Sequence, residues 1–203
     1  MSDEIESVEV QTALDEIQNS LEDLKQTVII KNKNQNIWLK KMEHGLKIIK
    51  WSKEKYRMQF IAPPQYVFQR DIFYCHLGVN IGQEEYWDRP VVVLQNDLGN
   101  KSSTTTIIAP ITTCEGSTLK ELNGEWFLDS LELDGTTKSR KLYYFEICVE
   151  LEPNFKKEIK GIINLAQIRV ISKKRLISPD VAKITVGTKN KINQSLKRLL
   201  NIC

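Results

Sequence analysis

The chain has 203 residues, of which 41% are hydrophobic and 27% are charged, the composition of an ordinary globular protein. Its formal net charge of +3 is too small to identify a nucleic-acid binder without a local basic patch. The four cysteines lie far apart and without zinc-ligand spacing, which favours reduced thiols and no bound metal or cofactor: Cys75, Cys114, Cys148 and Cys203. The first residues lack the features of a secretory leader and no apolar run is long enough to span a bilayer, so we expect a cytoplasmic protein with no membrane partner.

The amino end predicts two helices with opposite charge. Acidic side chains dominate before Lys25, and basic side chains dominate from there to Arg57. Apolar residues at alternating spacings of four and three predict a helix over about residues 7 to 30 with a short coiled-coil seam: Val10, Leu14, Ile17, Leu21, Leu24 and Val28. A second helix is indicated by Trp38, Met42, Ile49 and Tyr56.

A domain boundary is predicted at Pro63-Pro64, because proline lacks the amide donor that a continuing helix requires. We therefore expect a helical extension over residues 1–62 and a second domain over residues 63–203. Short β-branched and aromatic segments in that domain are typical of a small barrel-like sheet. The predicted strands are Ile72–Leu77, Pro90–Gln95, Thr105–Thr112, Leu142–Leu151, Gly161–Leu165 and Ile168–Ser172.

Two further elements are predicted in the carboxyl-terminal part of the chain. The segment from Thr118 to Lys138 carries apolar residues that favour an extra hairpin or lid. A terminal helix is predicted to be capped by Thr188, with an apolar face formed by Ile192, Leu196, Leu199 and Leu200.

The motif with the most fixed positions runs from Gly78 to Thr112. It reads G-x-x-x-G-x-E-x-x-x-x-R-P, continues as V-V-V-L-Q-N-D-L-G-N-K, and ends in a strand closing on P-I-T. This pattern resembles the MazF/PemK family of toxin endoribonucleases. The resemblance implies an α+β fold in which a small SH3-like antiparallel β-barrel of the CcdB/MazF type carries a C-terminal helix, here preceded by a helical extension.

The resemblance also implies a function. The family cleaves single-stranded RNA at specific sequences without metal, as the toxin (mRNA interferase) of a type II toxin–antitoxin system. A homodimer and a cognate antitoxin protein are the expected partners besides RNA.

Three residues are predicted to be catalytic. RNA contains its own nucleophile, the 2′-hydroxyl, so the enzyme must supply a base, an acid and positive charge at the phosphorus. The resemblance assigns this work chiefly to Arg89 and Thr112. The guanidinium of Arg89 suits transition-state stabilisation, since its forked donors match two phosphoryl oxygens. Glu84, at the glutamate position of the motif, is the candidate base or base-edge acceptor.

The predicted RNA-binding residues fall into three segments. Tyr86 and Trp87 offer aromatic faces on which unpaired bases could stack. The polar turn after the second strand and the segment around residue 167 supply hydrogen-bonding side chains. The full set is Gln83, Tyr86, Trp87, Asn96, Ser102, Ser103 and Gln167.

Some features depart from the family pattern and leave a second interpretation open. Glu85 and Asp88 would repel phosphate, and Ala166 stands where an acidic residue is usual. His76 has a side chain suited to acid–base work, but a lone histidine near a strand end is more often packed or solvated. The alternative is a catalytically degraded or non-enzymatic binding protein on the same fold. The extension could dimerise, pack on the barrel, or occupy the RNA groove.

Overall fold

The computed structural model describes residues 2–29, 34–114, 117–131, 136–153 and 159–202. For residues 2–9, 113, 131 and 178 it describes the backbone only. The chain divides into two compact units, residues 1–56 and residues 57–203. No helix in the described ranges is long and apolar enough to cross a membrane.

The first unit contains two helices, as predicted. Helix α1 spans Ser2–Val28, and α2 spans Gln35–Met58 and continues two residues beyond the unit boundary. The Asn34 side chain accepts hydrogen bonds from two amides of the first turn of α2, the usual device for starting a helix. The helices touch where Val28 lies against the backbone of Gly45 and where the Trp38 indole donates to the carbonyl of Ile29.

The second unit is built on a seven-stranded antiparallel sheet. The strands in chain order are β1 (Asp71–His76), β2 (Asp88–Val93), β3 (Thr105–Thr113), β7 (Glu146–Cys148), β8 (Gly161–Asn164), β9 (Arg169–Ser172) and β10 (Leu176–Lys183). Their spatial order is β10-β1-β2-β3-β8-β7, and β9 pairs with the first half of β3.

The sheet curls towards a barrel, but within the described residues no continuous ladder of hydrogen bonds joins its two edge strands. In the described part of the chain, its two edges meet at an isolated bridge between Leu151 and Ile184. The amide of Glu152 donates to the carbonyl of Lys183, and the amide of Thr185 donates to the carbonyl of Glu150. The predicted α+β class with an antiparallel sheet is therefore confirmed, with a barrel that is incompletely closed.

Apolar side chains fill both faces of this sheet. One cluster lies beneath the terminal helix α4 (Val186–Leu200) and includes Val92, Ile111 and Ile192. The other cluster lies on the opposite face and includes Phe73, Val91 and Ile108. Alternate residues of β2 thus face different cores, which explains why three consecutive valines are buried.

The inserted segment forms a second, three-stranded sheet. Strands β4 (Ser117–Leu122), β5 (Glu125–Leu131) and β6 (Thr137–Lys141) pair in order, which confirms the extra hairpin and adds a third strand. Arg140 on β6 forms a two-pronged ion pair with Glu146 on β7, at 2.7 and 2.8 Å, which connects the two sheets.

Several predicted boundaries were wrong. The predicted strand Leu142–Leu151 is reduced to β7, because a turn places the Glu146 amide on the Tyr143 carbonyl. The terminal helix is confirmed, but its cap is Thr185, whose hydroxyl oxygen accepts from the amide of Thr188. Strand β10 was missed, and the polar turn contains a short helix, α3 (Asp97–Ser102).

Candidate active site

Arg89 and Thr112 lie side by side at one end of the sheet. Arg89 is the second residue of β2, and Thr112 is the penultimate residue of β3. The antiparallel register that pairs Val91 with Pro110 brings Arg89 opposite Thr112, two residues further along each strand. Both predicted catalytic side chains therefore reach the same face of the sheet.

Glu85 joins these two side chains. The Thr112 hydroxyl donates to Oε1 of Glu85 at 2.7 Å, and Nε of Arg89 lies 2.9 Å from Oε2. The Glu85 side chain is 14% exposed and that of Arg89 is 27% exposed, so the ion pair is shielded from bulk water. A single carboxylate thus engages both predicted catalytic residues.

The loop between β1 and β2 is shaped to hold Glu85 in this position. Gly78 and Gly82 have φ angles of 90° and 64°, a backbone conformation that glycine adopts without steric cost. The amide of Trp87 donates to the carbonyl of Gly78 at 2.7 Å, and the amide of Leu77 donates to the carbonyl of Trp87 at 3.0 Å. These bonds close the loop and direct residues 83–86 towards β3 and β9.

Gln167 fixes the backbone of the loop. Its Oε1 accepts from the amide of Glu85 at 2.6 Å, and its Nε2 donates to the carbonyl of Gln83 at 2.8 Å. The Glu85 carbonyl accepts from Nδ2 of Asn80 at 2.5 Å and from Arg169 at 3.2 Å. The predicted RNA-binding residue Gln167 therefore also acts as a structural support of the site.

Three arginines make this end of the sheet basic. Arg169 lies beside Glu85, and Arg175 donates to the carbonyl of Leu77 at 3.3 Å. Burial raises the pKa of the Cys75 thiol to about 12, against the opposing influence of Arg175 and Arg169. With Arg89 they form a basic cluster at the end of β1, which is the local positive patch that a polyanion requires.

Two predicted aromatic residues border the cluster. Tyr86 and Trp87 are 44% and 41% exposed, and their rings meet edge to face with centroids 6.1 Å apart. The guanidinium carbon of Arg89 lies 5.9 Å from the centroid of the Tyr86 ring. Nε of Arg89 also donates to the Tyr86 carbonyl at 3.1 Å. Exposed ring faces next to a guanidinium suit an unpaired nucleotide.

Glu84, the predicted base, lies outside this network. It is exposed, and its side chain forms no hydrogen bond or ion pair with any residue that the structure describes. Glu85 occupies the position between Arg89 and Thr112 instead. Spacing along the chain could not distinguish two adjacent carboxylates in an irregular loop, and Glu85 was predicted only to repel phosphate.

Three other predicted RNA-binding residues lie at the far end of β2 and β3. The Asn96 side chain caps α3 by accepting from the amide of Gly99 at 2.8 Å. The Ser102 hydroxyl donates to the carbonyls of Leu98 and Gly99, and the Ser103 hydroxyl lies 2.9 Å from that of Thr105. These side chains are engaged in local structure and are not brought next to Arg89.

The remaining titratable groups near the site have other partners. Nδ1 of His76 lies 2.7 Å from a carboxylate oxygen of Asp88. Successive strand residues face opposite sides, so Asp88 and its cross-strand neighbour His76 lie on the other side of the sheet from Arg89. No group of three His, Cys, Asp or Glu side chains within the described ranges is arranged to hold a metal ion.

A family model described as "PemK-like, MazF-like toxin of type II toxin-antitoxin system" matches residues 68–200. The chain belongs to this family. Its match includes the loop with Glu85, both strands that carry Arg89 and Thr112, and the terminal helix.

Two named endoribonucleases are similar in sequence to this chain. Endoribonuclease MazF of Staphylococcus epidermidis is 33% identical over 106 residues, covering 52% of this chain and 68% of that protein. Endoribonuclease EndoA of Bacillus subtilis is 32% identical over 106 residues, covering 52% and 71%. Among solved structures, MazF of Deinococcus radiodurans (Form-I) aligns with a TM-score of 0.46 at 15% identity, covering 70% of this chain and 99% of that one.

Proposed function

We propose that this protein is a metal-independent endoribonuclease that cleaves single-stranded RNA at specific sequences and acts as the toxin of a type II toxin–antitoxin pair. The observation that carries the proposal is the meeting of Arg89 and Thr112 around a shielded carboxylate, beside a basic cluster and two exposed aromatic rings. Family membership supplies the toxin context.

The chemistry follows from the substrate. The 2′-hydroxyl of the nucleotide attacks its own 3′-phosphate, and negative charge accumulates on the phosphoryl oxygens as the phosphorane forms. Nε of Arg89 is held by Glu85 and the Tyr86 carbonyl, whereas its two terminal nitrogens make no hydrogen bond to the described residues. A guanidinium oriented through Nε can present these terminal donors to two phosphoryl oxygens.

RNA recognition is assigned to the surroundings of that guanidinium. The rings of Tyr86 and Trp87 provide stacking surfaces for the bases that flank the cleaved bond. Arg169 and Arg175 supply charge for the neighbouring phosphates. Stacking is tolerant of sequence, so sequence specificity must come from hydrogen bonds to base edges, for which Gln83 and Gln167 are the proposed donors and acceptors.

The partners of the protein are part of the proposal. Toxins of the matched family are paired with antitoxins, so we infer that a cognate antitoxin protein binds this chain and blocks its RNA site. We also infer a homodimer, as the family resemblance implies. Sedimentation of the purified chain, with and without a candidate antitoxin protein, measures both associations.

The test is incubation of the purified chain with mixed-sequence RNA in excess EDTA. We expect cleavage that leaves a 2′,3′-cyclic phosphate or 3′-phosphate and a free 5′-hydroxyl. A matched oligonucleotide with one 2′-deoxy residue at the cut site should resist cleavage, because the nucleophile is missing. A requirement for Mg²⁺, or equal cleavage of the deoxy substrate, would contradict the mechanism.

A matched pair of variants removes the possibility of a contaminating nuclease. Arg89→Ala should lower kcat and kcat/KM together, since the charge it stabilises develops only in the transition state, and loss of one preorganised donor is worth about 10²–10³ in rate. Lys160→Ala, a charge removal in the loop before β8, should leave the rate unchanged. Binding without cleavage by the unaltered chain would favour a non-enzymatic protein.

A further inference from the structure

The position of Glu85 assigns it a chemical role that the family motif does not give it. The Thr112 hydroxyl hydrogen is directed to Glu85, so in this arrangement Thr112 does not offer a donor to a phosphate. Oε1 of the carboxylate accepts a hydrogen bond from Thr112, and Oε2 forms the ion pair with Nε of Arg89. Each carboxylate oxygen has a second lone pair, and the ionised group therefore keeps the capacity to accept a proton.

We propose that Glu85 is the general base that removes the proton from the 2′-hydroxyl of RNA. This inference rests on the proposed nuclease function and adds to it a residue with a defined step. When the terminal nitrogens of Arg89 hold the scissile phosphate, the adjacent 2′-hydroxyl must lie next to the carboxylate that already contacts the same guanidinium through Nε. A base must lie within hydrogen-bonding reach of the proton that it abstracts, and the ion pair with Arg89 places Glu85 beside the proposed phosphate site.

The step balances without a further reactant. The 2′-oxygen forms a bond to phosphorus as its proton moves to a carboxylate oxygen of Glu85. The bond from phosphorus to the 5′-oxygen breaks, and the leaving oxygen takes a proton from water. The products are a 2′,3′-cyclic phosphate and a 5′-hydroxyl, and Glu85 then returns its proton to solvent.

Thr112 and the backbone bonds of the loop become positioning elements in this scheme. The hydrogen bond from Thr112 fixes the orientation of the carboxylate and leaves lone pairs free to accept a proton. Gln167, Asn80 and Arg169 hold the amide and carbonyl of Glu85 on both sides of the residue. Both the backbone and the carboxylate of Glu85 are thus held in place, and catalysis requires such fixation.

Two other candidates for the base fit the geometry less well. Glu84 is exposed, and its side chain contacts neither Arg89 nor Thr112. His76 is paired with Asp88 on the opposite side of the sheet. Glu85 is the carboxylate that shares a hydrogen-bonding network with both predicted catalytic residues.

The experiment measures the pH dependence of single-turnover cleavage for the unaltered chain, Glu85→Gln, Glu85→Asp and Glu84→Gln. Glutamine preserves the size of the side chain and an acceptor for Thr112 but cannot act as a base. We expect Glu85→Gln to lose about 10²–10⁴-fold in rate and to lose the acidic limb of the pH–rate profile. Its affinity for a non-cleavable 2′-deoxy RNA should be equal or higher, because a negative charge near the phosphate has been removed.

Glu85→Asp provides a second test that does not depend on an uncharged side chain. Aspartate retains a carboxylate but is one methylene shorter, so the rate should fall while the acidic limb persists. A purely structural role for Glu85 predicts similar losses for both variants and no change in the shape of the profile. Glu121→Gln, the same chemical change on an exposed residue of β4, serves as the control with unchanged kinetics.

Defined outcomes overturn the assignment. Cleavage by Glu85→Gln at the rate of the unaltered chain excludes a base at this position, and faster cleavage identifies the carboxylate as a plug that substrate must displace. A large loss in Glu84→Gln alone transfers the role to Glu84. Failure of the unaltered chain to cleave RNA overturns the proposed function as well, whereas normal cleavage by Glu85→Gln overturns this inference only.

Discussion

Gly161 determines how closely β8 can approach the strand that carries Thr112, and Gly161→Ala tests that dependence. A Cβ atom at this position would lie 2.5 Å from the carbonyl oxygen of Thr112 and 2.9 Å from Cγ2 of Ile111, whereas ordinary contacts begin at 3.4 Å. The nearest atom belongs to backbone, so the clash cannot be relieved by a rotamer change. The two strands must separate by 3.4 minus 2.5, or about 0.9 Å, at the position of Thr112.

The expected consequences are a loss of stability and a larger loss of activity. Overpacking of this kind costs about 1–3 kcal/mol, which urea unfolding followed by tryptophan fluorescence would measure as a lower free energy of unfolding. Displacement of catalytic groups by about 1 Å can cost on the order of 10² in rate. We therefore expect kcat/KM to fall by more than the folded fraction explains.

A second glycine in the same domain supplies the control for this prediction. In Gly187→Ala the new Cβ would lie 3.6 Å from the Thr185 hydroxyl oxygen, an ordinary contact. The residue is in the first turn of α4, where alanine is favoured over glycine by roughly 0.5–1 kcal/mol. Unchanged cleavage and a small gain in stability are expected. Unfolding and kinetics of Gly161→Ala that match those of the unaltered chain would refute the argument.

Three further predictions concern other contacts. Thr112→Val should lower the cleavage rate by about 10² without changing affinity for 2′-deoxy RNA, because Glu85 loses the hydrogen bond that positions it. A loss confined to binding would instead place the hydroxyl on the substrate. Burial works to raise the pKa of Glu146, but hydrogen bonds from Arg140 and from the Tyr143 amide outweigh it, so the pKa in the folded protein lies below the usual 4.5. The ion pair therefore stabilises the fold above pH 4.5, and this stabilisation is lost as the pH falls through the pKa of the folded protein. Arg140→Gln should therefore be less stable than the unaltered chain at pH 7, with a difference in thermal midpoint that shrinks below pH 4.5, and a difference independent of pH would contradict this reasoning. Deletion of residues 1–56 should weaken self-association without raising the cleavage rate. Four apolar residues of the α1 seam, from Val10 to Leu21, are 53–56% exposed and available to a second copy of the chain. Faster cleavage after the deletion would instead indicate an autoinhibitory arm.

The regular elements were predictable where hydrophobic periodicity was strong. The spacing from Val10 to Val28 identified α1, and the run Val91–Val93 identified a strand buried on both faces. Strand β10 was missed because Pro179 and Asp180 interrupt its pattern. It pairs with β1 in two short stretches separated by a register shift, so tertiary contacts outweigh the local sequence there.

The candidate site was only partly predictable, because it depends on a loop whose path is set by contacts distant in the sequence. Strand alternation is enough to place Arg89 and Thr112 on one face once the two strands are paired. No comparable rule applies between Gly82 and Trp87, where positive φ angles reverse the chain. Which of two neighbouring carboxylates turns inward is decided by Gln167, more than 80 residues away, which binds the amide of Glu85 and the carbonyl of Gln83. Substituting Gln167 should thus affect catalysis through the orientation of Glu85, and the chemistry of the site depends on the turn that precedes β9 as much as on the motif that reveals it.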